Sequence, residues 1–326
     1  MNPPLTLLAP PMTIAAVERD TRIGKDTLRV WERRYGFPQP LRDPNGERLY
    51  PADQVERLRH IKRLLDAGQR PGRVVAMSLA QLQEAQDSRA AAQLQPAPSG
   101  TSASDGSASA LMELLRGHDW LAFRRQLTQS LLRQGLGRFV TDTAVPLMQT
   151  VGHEWARGQL QVFEEHLCSE ALETVLRAAI ASAPEASASS TPRVLSATFP
   201  GEVHGLGLLM AEAMFSVEGC CCLSLGRQIP LQDLVRASRT FDSQIIALSF
   251  TATSPAHQTV EGLQDLREQL PAHIEIWAGS PLPALQRRGL PGMRVMASLT
   301  DIAPALSQWR HRQHNSHGPL DKSPEP

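Results

Sequence analysis

Between Thr198 and Gly207 the chain reads T-F-P-G-E-V-H-G-L-G, and inside it a carboxylate and an imidazole, Glu202 and His204, stand two residues apart. In an extended loop, residues i and i+2 point the same way. A carboxylate beside an imidazole fixes its tautomer and makes the other ring nitrogen a better metal ligand. One histidine of that kind suits a metal whose remaining ligands come from a cofactor. The plainer reading is a hydrogen-bonded loop histidine that takes no ligand. Gly205 and Gly207 leave room for a large planar group to approach the backbone. Upstream, Trp155 is followed by nine residues and then by Glu165 and His166. Taken singly, a bundle-end Trp is packing and a Glu-His pair on an amphipathic helix is solvated. Placed just before the Glu-x-His loop, the set is no longer commonplace.

The elements that must position these residues can be read from periodicity. An apolar run, Arg193–Ala197, precedes the Glu-x-His loop, and an apolar helix-like run, Leu206–Val217, follows it. Strand, Gly-containing loop, helix is where an α/β sheet builds a ligand site, at the carboxyl end of a strand. Further apolar runs at 219–225, 244–250, 274–278 and 293–298 alternate with helical patterns at 231–239, 256–269, 282–288 and 302–311, which predicts a doubly wound parallel sheet. Between Leu111 and Ser182 helical periodicity dominates, with breaks at Gly135, Gly137 and Gly158. It predicts a four-helix bundle over 110–117, 120–133, 137–157 and 161–182.

The amino-terminal part has another character. Met12 to Val75 carries 14 Lys and Arg against 9 Asp and Glu, leaving 19 against 24 elsewhere, in a chain whose formal net charge is zero. A basic end on a slightly acidic remainder suits nucleic-acid binding. Thr13 can cap a short helix, Thr21–Gly24 is a tight turn, and a second helix runs from Lys25 to Arg34 with Leu28 and Trp31 inward. Two short helices joined by such a turn make a helix-turn-helix. Lys25, Arg29, Arg33 and Arg34 are then free to meet phosphates and base edges. Asn45-Gly46 signals a hairpin between Arg42 and Tyr50, and Pro51–Ala67 is an amphipathic helix.

Length (326 residues), 41% hydrophobic and 20% charged residues are those of a multidomain globular protein. Residues 83–110, rich in Gln, Ala, Ser, Pro and Gly, read as a flexible linker, and 313–326 as a disordered tail. The four cysteines, Cys168 and Cys220–Cys222, have the spacing of neither a disulfide framework nor a zinc site and read as buried hydrophobes. The start M-N-P-P-L-T-L-L-A-P-P lacks a charged region and is broken by prolines, and no apolar run reaches ~18 residues. A cytoplasmic protein with no membrane span is expected. No catalytic triad, phosphate loop or zinc cluster is present in the sequence, so an enzyme is not expected.

Two resemblances join these parts. The order helix-turn-helix, R-V-W-E-R-R-Y-G-F-P, wing N-G-E-R-L-Y, then helix resembles the MerR-family winged helix-turn-helix over about residues 12–80. The match rests on Arg33-Arg34-Tyr35-Gly36 and Arg48-Leu49-Tyr50. The resemblance implies a recognition helix in the major groove and a wing (Arg42, Arg48, Tyr50) on the DNA backbone. The whole chain resembles the cobalamin-binding MerR regulators, the CarH/LitR type of light-sensing repressor. That implies a fold of winged helix-turn-helix, four-helix bundle (111–182) and Rossmann-like cobalamin domain (192–312), with adenosylcobalamin between the last two. It further implies that His204 is the lower ligand of cobalt, oriented by Glu202 within the motif that ends at Gly207. Trp155 would cap the upper face of the corrin, with Glu165 and His166 at the adenosyl group. Ser249 and Thr251 would line the nucleotide tail, and Gly279-Ser280 stands where the family has Gly-Gly. One departure is plain: the family's light-sensing members carry a histidine directly after the capping Trp, and here that residue is Ala156.

The expected function is therefore a DNA-binding repressor controlled by adenosylcobalamin and, through photolysis of its cobalt–carbon bond, by light. It would act as a dimer or tetramer on a palindromic operator. An alternative keeps the regulator without a cofactor, its sensor fold answering to a separate photoreceptor or anti-repressor protein. A third reading, a corrinoid carrier for methyl transfer, is opposed by the winged helix-turn-helix in front.

Overall fold

The structure, a computed structural model, describes residues 11–66, 69–85, 104–183, 191–252, 254–282, 285–286 and 292–316. They fall into two compact units, 1–100 with 152–161, and 101–151 with 162–326.

In the first unit, strand β1 (Met12–Thr13) leads into α1 (Ile14–Thr21), and α2 (Lys25–Tyr35) follows a tight turn. Thr13 caps α1, its hydroxyl accepting from Ala16 N at 3.3 Å, as its position in the sequence foretells. The wing is β2 (Leu41–Arg42) and β3 (Arg48–Tyr50), and β1 adds to β3 to give a three-stranded sheet of order β1-β3-β2. The wing turn is held by Asp43, whose carboxylate accepts from Asn45 N and Glu47 N, with Gly46 at φ +83° where a side chain would be strained. Helices α3 (Ala52–Asp66) and α4 (Pro71–Val74) close a core of Val17, Leu28, Trp31, Tyr50, Leu58 and Ile61.

In the second unit the bundle comprises α5 (Ser104–Arg116), α6 (Trp120–Gln134), a third helix in pieces, and α9 (Val162–Ala181). The third helix is α7 (Leu136–Phe139), a π-helical turn at Val140–Ala144, and α8 (Val145–Ala156), whose residues from Gly152 on count with the first unit. The widened turn ends next to Pro146, which has no N–H to give to an ordinary helical bond. Two boundaries differ from expectation. The expected linker ends inside α5, because helical structure already begins at Ser104. Its residues 86–103 lie outside the described residues.

The α/β domain has β4 (Arg193–Ala197), α10 (Leu206–Val217), β5 (Cys221–Gly226), α11 (Leu231–Thr240), β6 (Ile245–Ser249), α12 (Ala256–Gln269), β7 (Glu275–Gly279), β8 (Met293–Met296) and α13 (Ile302–Ser316). The five strands pair in parallel in the order β5-β4-β6-β7-β8. The central strands are apolar along most of their length, as parallel strands covered on both faces must be. Ile245, Ile246, Leu248, Ile276 and Ala278 are buried with Leu263 and Leu266 of α12. The sheet matches the doubly wound expectation. The expected disordered tail does not begin at 313: α13 runs on to Ser316, anchored upstream by buried Ile302, Leu306 and Trp309, and 317–326 lie outside the described residues. The bundle packs on this domain through α9 and the α7–π stretch, both against α10. Among the described residues no helix is long and apolar enough to cross a membrane.

Candidate functional site

In this strand order the chain leaves β4 toward β5 on one side and reaches β6 on the other. The crevice between the ends of β4 and β6 is the switch point where such sheets bind ligands. The loop after β4 carries Glu202 and His204, and the loop after β6 carries Thr251 and Ser254. Thr198, fully buried, locks the first loop. Its N–H donates to Gly226 O and its hydroxyl donates to Glu202 O at 2.8 Å, while that hydroxyl accepts from Gln228 N at 2.9 Å. Next to it Phe199 packs edge-on against Phe250, ring centroids 5.3 Å apart, and against Gly262, where a Cβ would come within 2.9 Å of the ring.

Glu202 is the hub of the two loops. Its side chain is 5% exposed and accepts from five donors. One oxygen takes His204 N at 2.9 Å and His204 Nδ1 at 2.7 Å. The other takes Thr251 N at 2.9 Å, Thr251 Oγ1 at 2.8 Å and Ser254 Oγ at 2.6 Å. Burial by itself would raise this carboxyl. The hydrogen bonds from His204, Ser254 and Thr251 outweigh it and hold the group well below the usual carboxylate range. Glu202 is thus ionised and can only accept, so Nδ1 of His204 carries a proton, and in the neutral imidazole the ligating nitrogen would be Nε2. The His204 side chain is 59% exposed, so a desolvated anchor presents a reachable imidazole.

The flanking glycines also make room within the protein. A Cβ at 207 would stand 3.0 Å from Ser249 Oγ, and one at 205 would stand 2.9 Å from Arg227 Cδ. Ser249 ends β6 directly beside Gly279, its register partner at the end of β7. Ser280 is buried, its hydroxyl accepting from Leu282 N at 3.1 Å.

The second carboxylate–imidazole pair opens α9. Glu165 accepts from His166 Nδ1 at 2.5 Å and from Ser169 Oγ at 2.8 Å, and the His166 side chain is half exposed. Beside it Glu164, nearly buried, meets His118 Nε2 at 2.8 Å, a pair not foreseen from sequence. Glu165, His166, Glu202, His204, Gly207, Ser249, Thr251 and Gly279 all lie in the second unit. Trp155, half-buried at the end of α8, belongs to the first unit and is described with it. Among the described residues no group of three or more His, Cys, Asp or Glu could hold a metal ion. The cysteines are free thiols. Burial pushes Cys168 and Cys220 up to about 12, which makes them poor nucleophiles.

The DNA-facing residues divide in two. Arg29, Arg33, Arg34 and Arg42 are exposed; Arg34 lies 5.4 Å from the Tyr35 ring centroid, and Arg42 donates to Gly46 O at 2.8 Å. Lys25 is drawn to Glu18 at 3.4 Å, and Arg48 is clasped by Glu32 at 2.9 Å, tying the wing to α2. Tyr50 corrects the sequence reading. It is completely buried in the core with Val17, Leu28 and Trp31, and its hydroxyl has no hydrogen-bond partner among the described residues, so it braces the wing from inside.

Sequence reasoning assigned Thr251 to a ligand tail, whereas both its N–H and its hydroxyl bind Glu202. It missed Ser254 altogether. The hydroxyl-rich run Thr251-Ala252-Thr253-Ser254 after a buried strand was the available signal.

Comparison with known proteins finds matches to two parts of the chain. The MerR HTH family regulatory protein profile matches residues 12–79, and the B12 binding domain profile matches residues 110–180. The HTH-type transcriptional repressor CarH of Myxococcus xanthus is 29% identical over 268 residues, covering 82% of this chain and 87% of the relative. The repressor CarA of the same organism is 28% identical over 316 residues, covering 93% and 99%. The Methanosarcina barkeri monomethylamine corrinoid protein superposes with a TM-score of 0.52 at 12% identity, covering 64% of this chain and all of that one, a likeness of fold.

Proposed function

For a chain that joins a MerR-type DNA-binding domain to a B12-binding domain, we propose a transcriptional repressor whose hold on DNA is set by adenosylcobalamin and by light. The observation that carries the reading is the Glu202–His204 pair. A buried, ionised, fully satisfied carboxylate fixes one imidazole by Nδ1 and turns its Nε2 lone pair outward. That donor set fits a corrinoid, whose metal would take one nitrogen from the protein. His204 would be that ligand, and Glu202, Thr251 and Ser254 would hold it in place. Ser249 and Gly279, side by side at the strand ends, would line the remaining part of the crevice. On the bundle, Glu165 would hold His166 for a contact with the same ligand.

When bound, adenosylcobalamin supplies a cobalt–carbon bond that light can cleave. The α9–α10 packing surface is the element whose rearrangement would couple the site to assembly. An oligomer would hold two DNA-binding domains at one palindromic operator and raise the effective concentration of the second. Ala156 offers no imidazole, so residue 156 cannot trap an illuminated state by ligation. The chain's similarity to repressors, and its winged helix-turn-helix, favour regulation over catalysis.

The test is an absorbance spectrum of the purified chain mixed in the dark with adenosylcobalamin, desalted and then illuminated. Retained colour that changes with light, with DNA release in a parallel binding assay, is the expected result. Retained colour without a spectral change would leave a cobalamin sensor with no light switch. A colourless protein would overturn the cofactor reading in favour of a regulator that answers to a protein partner.

A further inference from the structure

The outward face of α2 carries chemistry that phosphate binding does not explain. Leu28 and Trp31 turn inward, 0% and 4% exposed. Directly opposite them on the helical wheel lie Asp26, Arg29, Val30 and Arg33, at i, i+3, i+4 and i+7. Asp26 has its side chain 94% exposed and lies 3.0 Å from Arg29, while Val30 is 43% exposed. A surface made only to meet a polyanion gains nothing from an exposed carboxylate, which phosphate repels and which engages one of its own arginines, or from an isopropyl group. A surface that reads base edges uses both. A carboxylate accepts from cytosine N4, a guanidinium forks onto guanine O6 and N7, and an aliphatic group meets the thymine methyl. In a helix-turn-helix the first turns of the second helix are the ones that reach base edges.

We propose that Asp26, Arg29 and Val30 are the sequence-reading residues of this chain, with Asp26 selecting a C·G pair and, through its ion pair, aiming Arg29 at an adjacent guanine. Val30 meets a thymine methyl beside them. The division of labour follows from position. Arg34 and Arg42, on the flank of α2 and on the wing, supply charge to the backbone, whereas the central stripe supplies sequence. A negative charge in the first turn of a helix also stabilises that helix. Such a role predicts a change in stability but none in which bases are preferred, so the two roles separate cleanly.

The experiment is selection of the full chain on a fully randomised double-stranded DNA pool, with and without added cobalamin, followed by sequencing and by anisotropy titration of the enriched duplex. For the parent, a motif with a fixed cytosine is expected. Asp26→Asn should move that one position to adenine, since an amide pairs with adenine N6 and N7. The preference should change by about tenfold there and leave the other positions alone. Arg34→Ala should weaken binding to all sequences alike and lower the salt slope by about one, with the motif unchanged. An Asp26→Asn motif identical to that of the parent would overturn the proposal, as would a parent that enriches no motif. Because Asp26 is so exposed, Asn should not unfold the domain, and a circular dichroism melt of the variant checks this. The motif is read in whichever condition, with or without cobalamin, the parent retains DNA, so failure of the cofactor reading and failure of this one are distinguishable.

Discussion

The molecule uses the same pair of groups, glutamate and histidine, at two places and builds them to different standards. Glu202 is 5% exposed and accepts from five donors drawn from two loops, while Glu165 is 28% exposed and accepts from His166 and Ser169 on its own helix. The first pair is over-determined: His204 cannot turn without breaking a buried network. The second is a local helix-surface contact that can rearrange at small cost. A single ligand to a metal needs the first kind of support, because its nitrogen must stay where the cofactor's own geometry puts the metal. A group that meets a changeable upper face is served by the second.

Replacing each histidine gives the widest separation between the two. His204→Ala is expected to abolish retention of cobalamin through desalting, read as absorbance per protein, while His166→Ala keeps most of it. Equal losses would erase the distinction drawn here. Next in size is Glu202→Gln, which turns an amide NH2 toward donors and should cost about 3 kcal/mol of stability in urea. The pH dependence of that cost has a definite sign. The carboxyl of Glu202 is held below its ordinary value, so its contribution is complete above the unfolded value of about 4.3. It is lost only as pH falls through the lower folded value. The gap between parent and Glu202→Gln should therefore be flat from neutral pH to about 5 and close in stronger acid. A gap that closed near neutrality would place the depression elsewhere. The smallest effect belongs to Ser254→Ala, which removes one of five donors and should cost about 1 kcal/mol, together with a modest rise in the dissociation constant for cobalamin. The corresponding Ser169→Ala on α9 should cost less still.

Much of this was legible in one dimension. The helix-turn-helix, the wing turn at Asn45-Gly46, the four helices of the bundle and the alternation of strand and helix each leave a local periodicity or a turn residue behind, and these elements stand where the pattern puts them. The Glu-x-His pair was also visible, because two residues in an extended loop share a side whatever surrounds them. Errors came where local pattern does not carry the answer. Ser104–Ala110 looked like linker by composition, yet the helix continues through it because buried Leu111, Met112 and Leu115 further on anchor it. Tyr50 looked like a wing contact, because nothing in R-L-Y says which of its three side chains β1 and α1 will cover.

Sequence alone therefore determined the order of the elements, the basic amino-terminal end and the identity of the imidazole, since these depend on residues close together in the chain. Tertiary structure decided what holds that imidazole. Thr251 and Ser254, which lie 49 and 52 residues beyond Glu202, reach it only because β4 and β6 pair in parallel and bring their carboxyl ends together. Strand pairing of that span is set by the burial of whole faces and not by any neighbouring residue, so no local reading could have supplied it.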